Sequence, residues 1–274
     1  LCINDDEHGF NGETVYLDVI VNQIYYVRVS GTESKYGKSG GANCLSAEYV
    51  TTKPIAELED EIANAIPIIL GVECTQAINE NATIDDGKLI IEAKQEAYSG
   101  SNYTSARLRT KDKGDWLYGK ISARMKLPSA GGTWPAFWMM PTNSVYGGWP
   151  NSGEIDIMEQ LFEDFEMIQC ALHTPDTHGD NTILKQVNVT NVTQNFHVYG
   201  MEWTAEKIDF FIDDKYYFTY QPESKTPGNW PYFNDQYILL NIAMGGSLGG
   251  SVDPNYTEDQ MEVDYVRIYQ KNKF

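Results

Sequence analysis

Asn151-Ser152-Gly153-Glu154-Ile155-Asp156-Ile157-Met158-Glu159-Gln160 places three carboxylates within six residues of an otherwise apolar run. Alternation of side chains along a strand puts Glu154 and Asp156 on one face and Ile155 and Ile157 on the other. The same parity would send Glu159 to the apolar side. One extra residue near Ile157 or Met158, a β-bulge, returns it to the face of Glu154. With that bulge, the carboxyls of Glu154 and Glu159 come within about 5 to 5.5 Å, the separation used when one carboxylate is a nucleophile and the other a general acid/base at a glycosidic bond. Asp156 lies between them, and three like charges so close favour retention of a proton near neutral pH.

A solvated strand face and a calcium site made of carboxylates are the other readings of the cluster. Calcium usually draws its oxygens from a flexible loop with Asp, Asn and Gly interspersed. A strand carrying Ile155 and Ile157 does not resemble such a loop, so catalysis is the better physical fit.

The residues ahead of the cluster point the same way. In Gly131-Gly132-Thr133-Trp134-Pro135-Ala136-Phe137-Trp138 the two tryptophans are four apart, on one face of a regular strand, and Trp149 stands just before the acids. Aromatic faces stack on the C–H faces of sugars, although each Trp alone could equally be core. His173, in Cys170-Ala171-Leu172-His173-Thr174, is placed to contact the acids from an adjacent strand.

Outward from the site, the chain reads as all-β. From Lys88 onward, short alternating runs separated by turn residues recur as in an antiparallel sandwich. Leu89, Ile91 and Ala93 share one face; Ile121, Ala123, Met125 and Leu127 point one way while Lys120, Ser122, Arg124 and Lys126 point the other. Ile208, Phe210 and Ile212 lead into an Asp213-Asp214 turn and a return strand through Tyr217, and a strand over 262–269 closes the chain. Residues 1–72 read differently: 13–22 and 23–31 suggest a hairpin turning near Asn22, and 53–65 suggests a short helix. This segment either supplies outer strands of the sandwich or is the remnant of an appended β-module; residues 73–274 are expected to form the catalytic domain.

With a net charge of −19, the chain lacks the clustered cations that nucleic acid, an anionic membrane surface or a sulfated polysaccharide would require. Aromatic residues make up 12%, which suits stacking surfaces. The longest apolar run, residues 65–72, is far shorter than the roughly 20 residues of a membrane span, so no membrane insertion is expected. The four cysteines, Cys2, Cys44, Cys74 and Cys170, lack the close pairs of a zinc site. A Cys2–Cys44 disulfide and buried free thiols are both open. Five Asn-x-Ser/Thr sequons, at Asn81, Asn102, Asn188, Asn191 and Asn255, matter only in a eukaryotic secretory pathway.

Gly153-Glu154-Ile155-Asp156-Ile157-Met158-Glu159 resembles the E-x-D-x-x-E signature of family 16 glycoside hydrolases, in particular their laminarinase-like branch. The likeness extends through YTSAR (103–107), GGTWPAFW (131–138), FHVYGMEW (196–203), NIAMGG (241–246) and DYVRIY (264–269). It implies a β-jelly-roll sandwich with an open cleft on a concave sheet, and a secreted, monomeric endo-hydrolase of β-1,3 or mixed β-1,3/1,4 glucan. Glu154 would be the nucleophile, Glu159 the acid/base and Asp156 a hydrogen-bonding partner of the nucleophile. Arg107, Trp134, Trp138, Trp149 and His173 would line the cleft, and no organic cofactor would be required. Asp264 resembles a position at which relatives bind a structural calcium, with other ligands from a first strand that residues 6–12 match only loosely. A neutral galactan hydrolase of the agarase type, or a non-catalytic β-glucan-binding protein on the same fold, are the alternatives.

Overall fold

The computed structural model describes residues 81–98, 100–162 and 164–270, with the segments Thr14–Val15, Tyr26–Thr32, Cys44–Val50 and Leu70–Val72. Among these residues the strands are β1 (Thr14–Val15), β2 (Tyr26–Thr32), β3 (Cys44–Val50), β4 (Leu70–Val72), β5 (Ala82–Asp85), β6 (Lys88–Tyr98), β7 (Ser101–Thr104), β8 (Arg107–Arg109), β9 (Asp115–Trp116), β10 (Gly119–Lys126), β11 (Thr133–Pro141), β12 (Glu154–Leu161), β13 (Asp164–His173), β14 (Ile183–Asn188), β15 (His197–Trp203), β16 (Ile208–Ile212), β17 (Lys215–Tyr220), β18 (Gln236–Met244) and β19 (Glu258–Tyr269). One helical turn, α1 (Gly246–Gly249), follows β18.

Two antiparallel sheets form a jelly-roll sandwich. One runs β1-β4-β8-β18-β11-β12-β13-β14, with β9 also on β18; the other runs β17-β16-β15-β10-β19-β6-β5, with β7 on β6. The carboxylate strand β12 is therefore central in its sheet, between β11 and β13. The expected all-β class is what forms, and its cause is the period-2 pattern. On β10, Ile121, Ala123 and Met125 are wholly buried, and they join one core with Phe137, Met139, Ile155, Ile238, Leu240 and Ile242 of the facing sheet. The opposite positions Lys120, Arg124 and Lys126 reach carboxylates of Glu202, Asp264 and Glu262 on the outer face. Removing apolar side chains from water on one face only is what drives this alternation.

Asp213 and Asp214 both have positive φ and turn β16 into β17 as expected. The hairpin expected over 13–31 is not the described pairing. β2 pairs with β3, Tyr26 opposite Val50, and β1 pairs with β4. Local alternation marks a strand but does not choose its partner, which is settled by tertiary packing. The helix expected over 53–65, and Cys2 and Cys74, lie outside the described residues, as do the proposed calcium ligands of 6–12.

Candidate active site

The bulge expected in β12 is present and its position is set by both neighbours. Against β11, Met158 pairs with Phe137 but Asp156 pairs with Trp138, so Ile157 is the extra residue. Against β13, Glu159 faces Gln169 and Asp156 faces Ala171, again one residue too many on β12. Ile155, Ile157 and Met158 all point into the core. Glu159 is thereby returned to the face of Glu154 and Asp156, where its carboxylate meets polar partners instead of core methyls. Leaving it inside would cost several kcal/mol.

Gly153 precedes the strand with φ +85°, and a Cβ there would stand 2.7 Å from Cε1 of Tyr232. Only glycine lets the buried Tyr232 ring approach so closely. Its hydroxyl donates to the backbone carbonyls of His173, at 2.9 Å, and Glu154, at 3.3 Å. One phenol thus ties the first residue of β12 to the last of β13.

Glu159 has an indole donor. Trp134 Nε1 donates to Oε1 of Glu159 at 3.0 Å, and Gln169 Nε2 donates to Oε2 at 2.9 Å. The Trp149 indole acts to lower the proton affinity of Glu154 and the charge of Asp156 to raise it. His173 lies opposite Glu154 in register, with Nε2 3.2 Å from Asp156 Oδ2 and 3.9 Å from Glu154 Oε1. Its other nitrogen, Nδ1, meets the Thr182 hydroxyl at 3.2 Å, which fixes the ring's orientation. Glu154, Asp156 and His173 offer ligand-type atoms within 4.8 Å of one another.

The electrostatics follow from burial. Asp156 is only 3% exposed, and desolvation, then the charge of Glu159, drive its pKa well above the ordinary value. Glu154 is pushed up to about 8 by desolvation and by Asp156, against the opposing pull of His173 and the Trp149 N–H. Desolvation also raises Glu159, opposed by the Gln169 and Trp134 donors. The three carboxyls titrate together, and the cluster carries protons into the neutral range.

The aromatic residues split by environment. Trp134 and Trp138 share the outer face of β11, as their spacing predicts. The Trp138 N–H donates to Asn241 Oδ1 at 2.7 Å, and Arg107 stacks on its ring with Cζ 4.6 Å from the centroid. Trp149 is 53% exposed, with His173 and His178 rings each 5.7 Å away. Arg107, Trp134, Trp138, Trp149 and His173 therefore all surround the carboxylates or the strands beside them. Asp264 does not: its Oδ2 accepts from Arg124 Nη1 at 2.7 Å on the other sheet.

Gln169, Thr182 and Tyr232 are contact residues that motif reading does not single out. For Gln169 the signal is strand parity, because positions 169, 171 and 173 share a face and His173 marks which one.

The sequence model of glycosyl hydrolases family 16 matches residues 72–267. A beta-glucanase of Rhodothermus marinus is 41% identical over 210 residues, covering 72% of this chain and 72% of its own. A glucan endo-1,3-beta-glucosidase of Cryptopygus antarcticus is 37% identical over 215 residues, covering 70% and 78%. The solved laminarinase from Rhodothermus marinus superposes with a TM-score of 0.69 at 40% identity, over 72% of this chain and 82% of that one. With the family model spanning most of the chain, and a carboxylate-bearing bulged strand at the centre of its sheet, this protein belongs to family 16 of the glycosyl hydrolases.

Proposed function

We propose that the protein is an endo-acting, retaining hydrolase of β-1,3-glucan or mixed β-1,3/1,4-glucan, with Glu154 as nucleophile and Glu159 as acid/base. The observation that carries this reading is the bulge at Ile157, which presents both glutamates on one face, with the Trp134 indole and the Gln169 amide donating to Glu159. The names of the relatives support the substrate class.

In the first step the Glu154 carboxylate attacks the anomeric carbon while Glu159 gives its proton to the departing glycosidic oxygen. The bond to the leaving sugar breaks and a glycosyl ester on Glu154 forms. Glu159, now ionised, takes a proton from water as the water attacks the same carbon, and the ester opens. Two inversions leave the anomeric configuration retained. In the reactive form Asp156, the most enclosed of the three acids, holds a proton and donates it to Glu154. This leaves Glu154 ionised while the fewest charges are buried together. His173 beside Asp156 and Glu154 offsets the charge that comes and goes. The chemistry needs only two carboxyls and water, so no organic cofactor is called for.

Arg107, Trp134, Trp138 and Trp149 bind sugar rings along the cleft. Residues 1–72 contribute outer strands to the sandwich, a reading supported by the pairing of β4 with β8 and of β1 with β4. The enzyme works as a monomer outside the cell, where a polymer too large to be imported is met. Among the described residues no helix is long and apolar enough to cross a membrane. Of the sequon asparagines, Asn102, Asn188, Asn191 and Asn255 are exposed, whereas Asn81 is buried against Glu92 and Thr104 and cannot carry a glycan.

Reducing-sugar release from laminarin, mixed-linkage glucan, agarose and carboxymethyl cellulose tests the assignment, with NMR of the first-formed anomer. β-Configured oligosaccharides from laminarin or mixed-linkage glucan are expected. Cleavage of agarose alone would move the substrate to a neutral galactan. Binding without cleavage would make the protein a glucan-binding member of the family.

A further inference from the structure

Gln186 on β14 stands outside the groups given chemical roles above, yet it is linked to them. It is exposed, and its Nε2 donates to Oε1 of the buried Gln169 at 3.2 Å. Gln169 in turn donates from Nε2 to Glu159 Oε2 at 2.9 Å. Gln186 and Gln169 are register partners across β14 and β13, and Gln169 and Glu159 across β13 and β12. The three side chains thus form a row across the sheet.

We propose that Gln186 is a positioning residue that holds the donor end of the Gln169 amide toward Glu159. The proposal rests on the reading of Glu159 as acid/base. A side-chain amide has a donor end and an acceptor end. Its N–H₂ stabilises an ionised carboxylate, whereas its carbonyl bonds only the protonated acid. In the native row, turning the Gln169 amide over breaks the bond to Gln186 as well as the bond to ionised Glu159. Without the Gln186 donor, the amide is free to turn and accept the O–H of neutral Glu159, which favours the protonated form. Gln186 therefore fixes the proton affinity of the acid/base without touching it and without adding charge.

The titratable groups facing Glu159 are Asp156 and Glu154 on its own strand and His173 on β13; β11 contributes the neutral Trp134. None of these touches Gln186 in a described hydrogen bond or ion pair, so substitution at 186 leaves them in place.

The test follows Glu159 directly, by ¹³C-carboxyl NMR of glutamate-labelled protein, with its resonance assigned by its loss in Glu159→Gln. Gln186→Met is neutral, of similar length and on an exposed position. It is expected to raise the Glu159 midpoint by about half a unit, and the alkaline limb of kcat/KM should move with it. Gln186→Lys keeps a donor toward Gln169 and, at high salt where its charge is screened, is expected to restore the parental midpoint. A parental midpoint in Gln186→Met overturns the relay. So does a midpoint raised equally by Met and Lys, which would mark a packing effect. If the midpoint moves but the alkaline limb does not, the relay stands and the assignment of Glu159 as acid/base fails.

Discussion

Trp134, on β11, donates its indole N–H to Oε1 of Glu159 at 3.0 Å. A neutral donor bonded to a carboxylate stabilises the ionised form and lowers its pKa, and here it works against the desolvation that raises Glu159. Trp134→Phe keeps an aromatic face for sugar stacking and removes only the N–H. The Glu159 pKa should therefore rise further, by about one unit, each unit being about 1.4 kcal/mol. The alkaline limb of the kcat/KM profile should shift upward by that amount while KM changes little. An unmoved limb would mean that Glu159 does not govern it.

Glu154 and Glu159 carry different parts of the reaction, so their variants should differ in kind. Glu159→Ala should lose on the order of 10²–10⁴-fold in rate on natural glucan, and much less on an aryl glycoside whose leaving group departs without a proton. Glu154→Ala should be inactive on both. Added azide should then restore turnover in each, yielding an α-glycosyl azide with Glu154→Ala, from one inversion, and a β-glycosyl azide with Glu159→Ala, from two. The anomer identified by NMR decides the roles, and the opposite pattern would exchange them.

The extra residue of β12 can be removed. Deleting Ile157 leaves Glu154-Ile155-Asp156-Met158-Glu159, in which strict alternation puts all three acids on one face without a bulge. Glu159 should therefore still meet Trp134 and Gln169, and at a temperature where the variant remains folded glucan should still be cleaved. Loss of the Ile157 side chain empties a core position, at about 2–4 kcal/mol in chemical denaturation, and Ile157→Ala, which keeps the bulge, should lose a similar amount. Activity in Ile157→Ala with none in the deletion variant would show that the bulge does more than restore the parity of Glu159.

That parity argument is also why so much of the site was legible in advance. Three acids in an apolar strand leave one facing the wrong way, and a single inserted residue near Ile157 or Met158 is the least disruptive remedy; the structure puts it at Ile157. The alternation through Ile121, Ala123 and Met125 was equally readable, since burial of one face writes itself into every second position. What alternation lacks is partner choice. A strand over 23–31 was readable, yet the pairing of Tyr26–Thr32 with Cys44–Val50 was not. The Gln186–Gln169–Glu159 row depends on two inter-strand registers at once, and no local pattern encodes them. Likeness to a calcium position likewise gave no hint that Arg124 on β10 would pair with Asp264.

Stability should depend on pH in a direction set by the same carboxyls. Glu154 is raised to about 8, and Asp156 and Glu159 are raised as well, chiefly by desolvation. A carboxyl with a higher pKa in the folded state binds its proton more tightly there than in the unfolded chain. Its contribution to stability is fully present below the unfolded value, near 4.5 for a glutamate, and is lost as pH rises through the folded one. Between about pH 5 and pH 8 the thermal midpoint should therefore fall as pH increases, with the cluster accounting for a few kcal/mol. Glu154→Gln cannot ionise, so it should flatten this dependence and be more stable than the parent at pH 8, with cleavage abolished. Differential scanning calorimetry of both proteins across that range measures it directly. Parallel curves for parent and variant would place the pH dependence elsewhere in the molecule and contradict the shift assigned to Glu154.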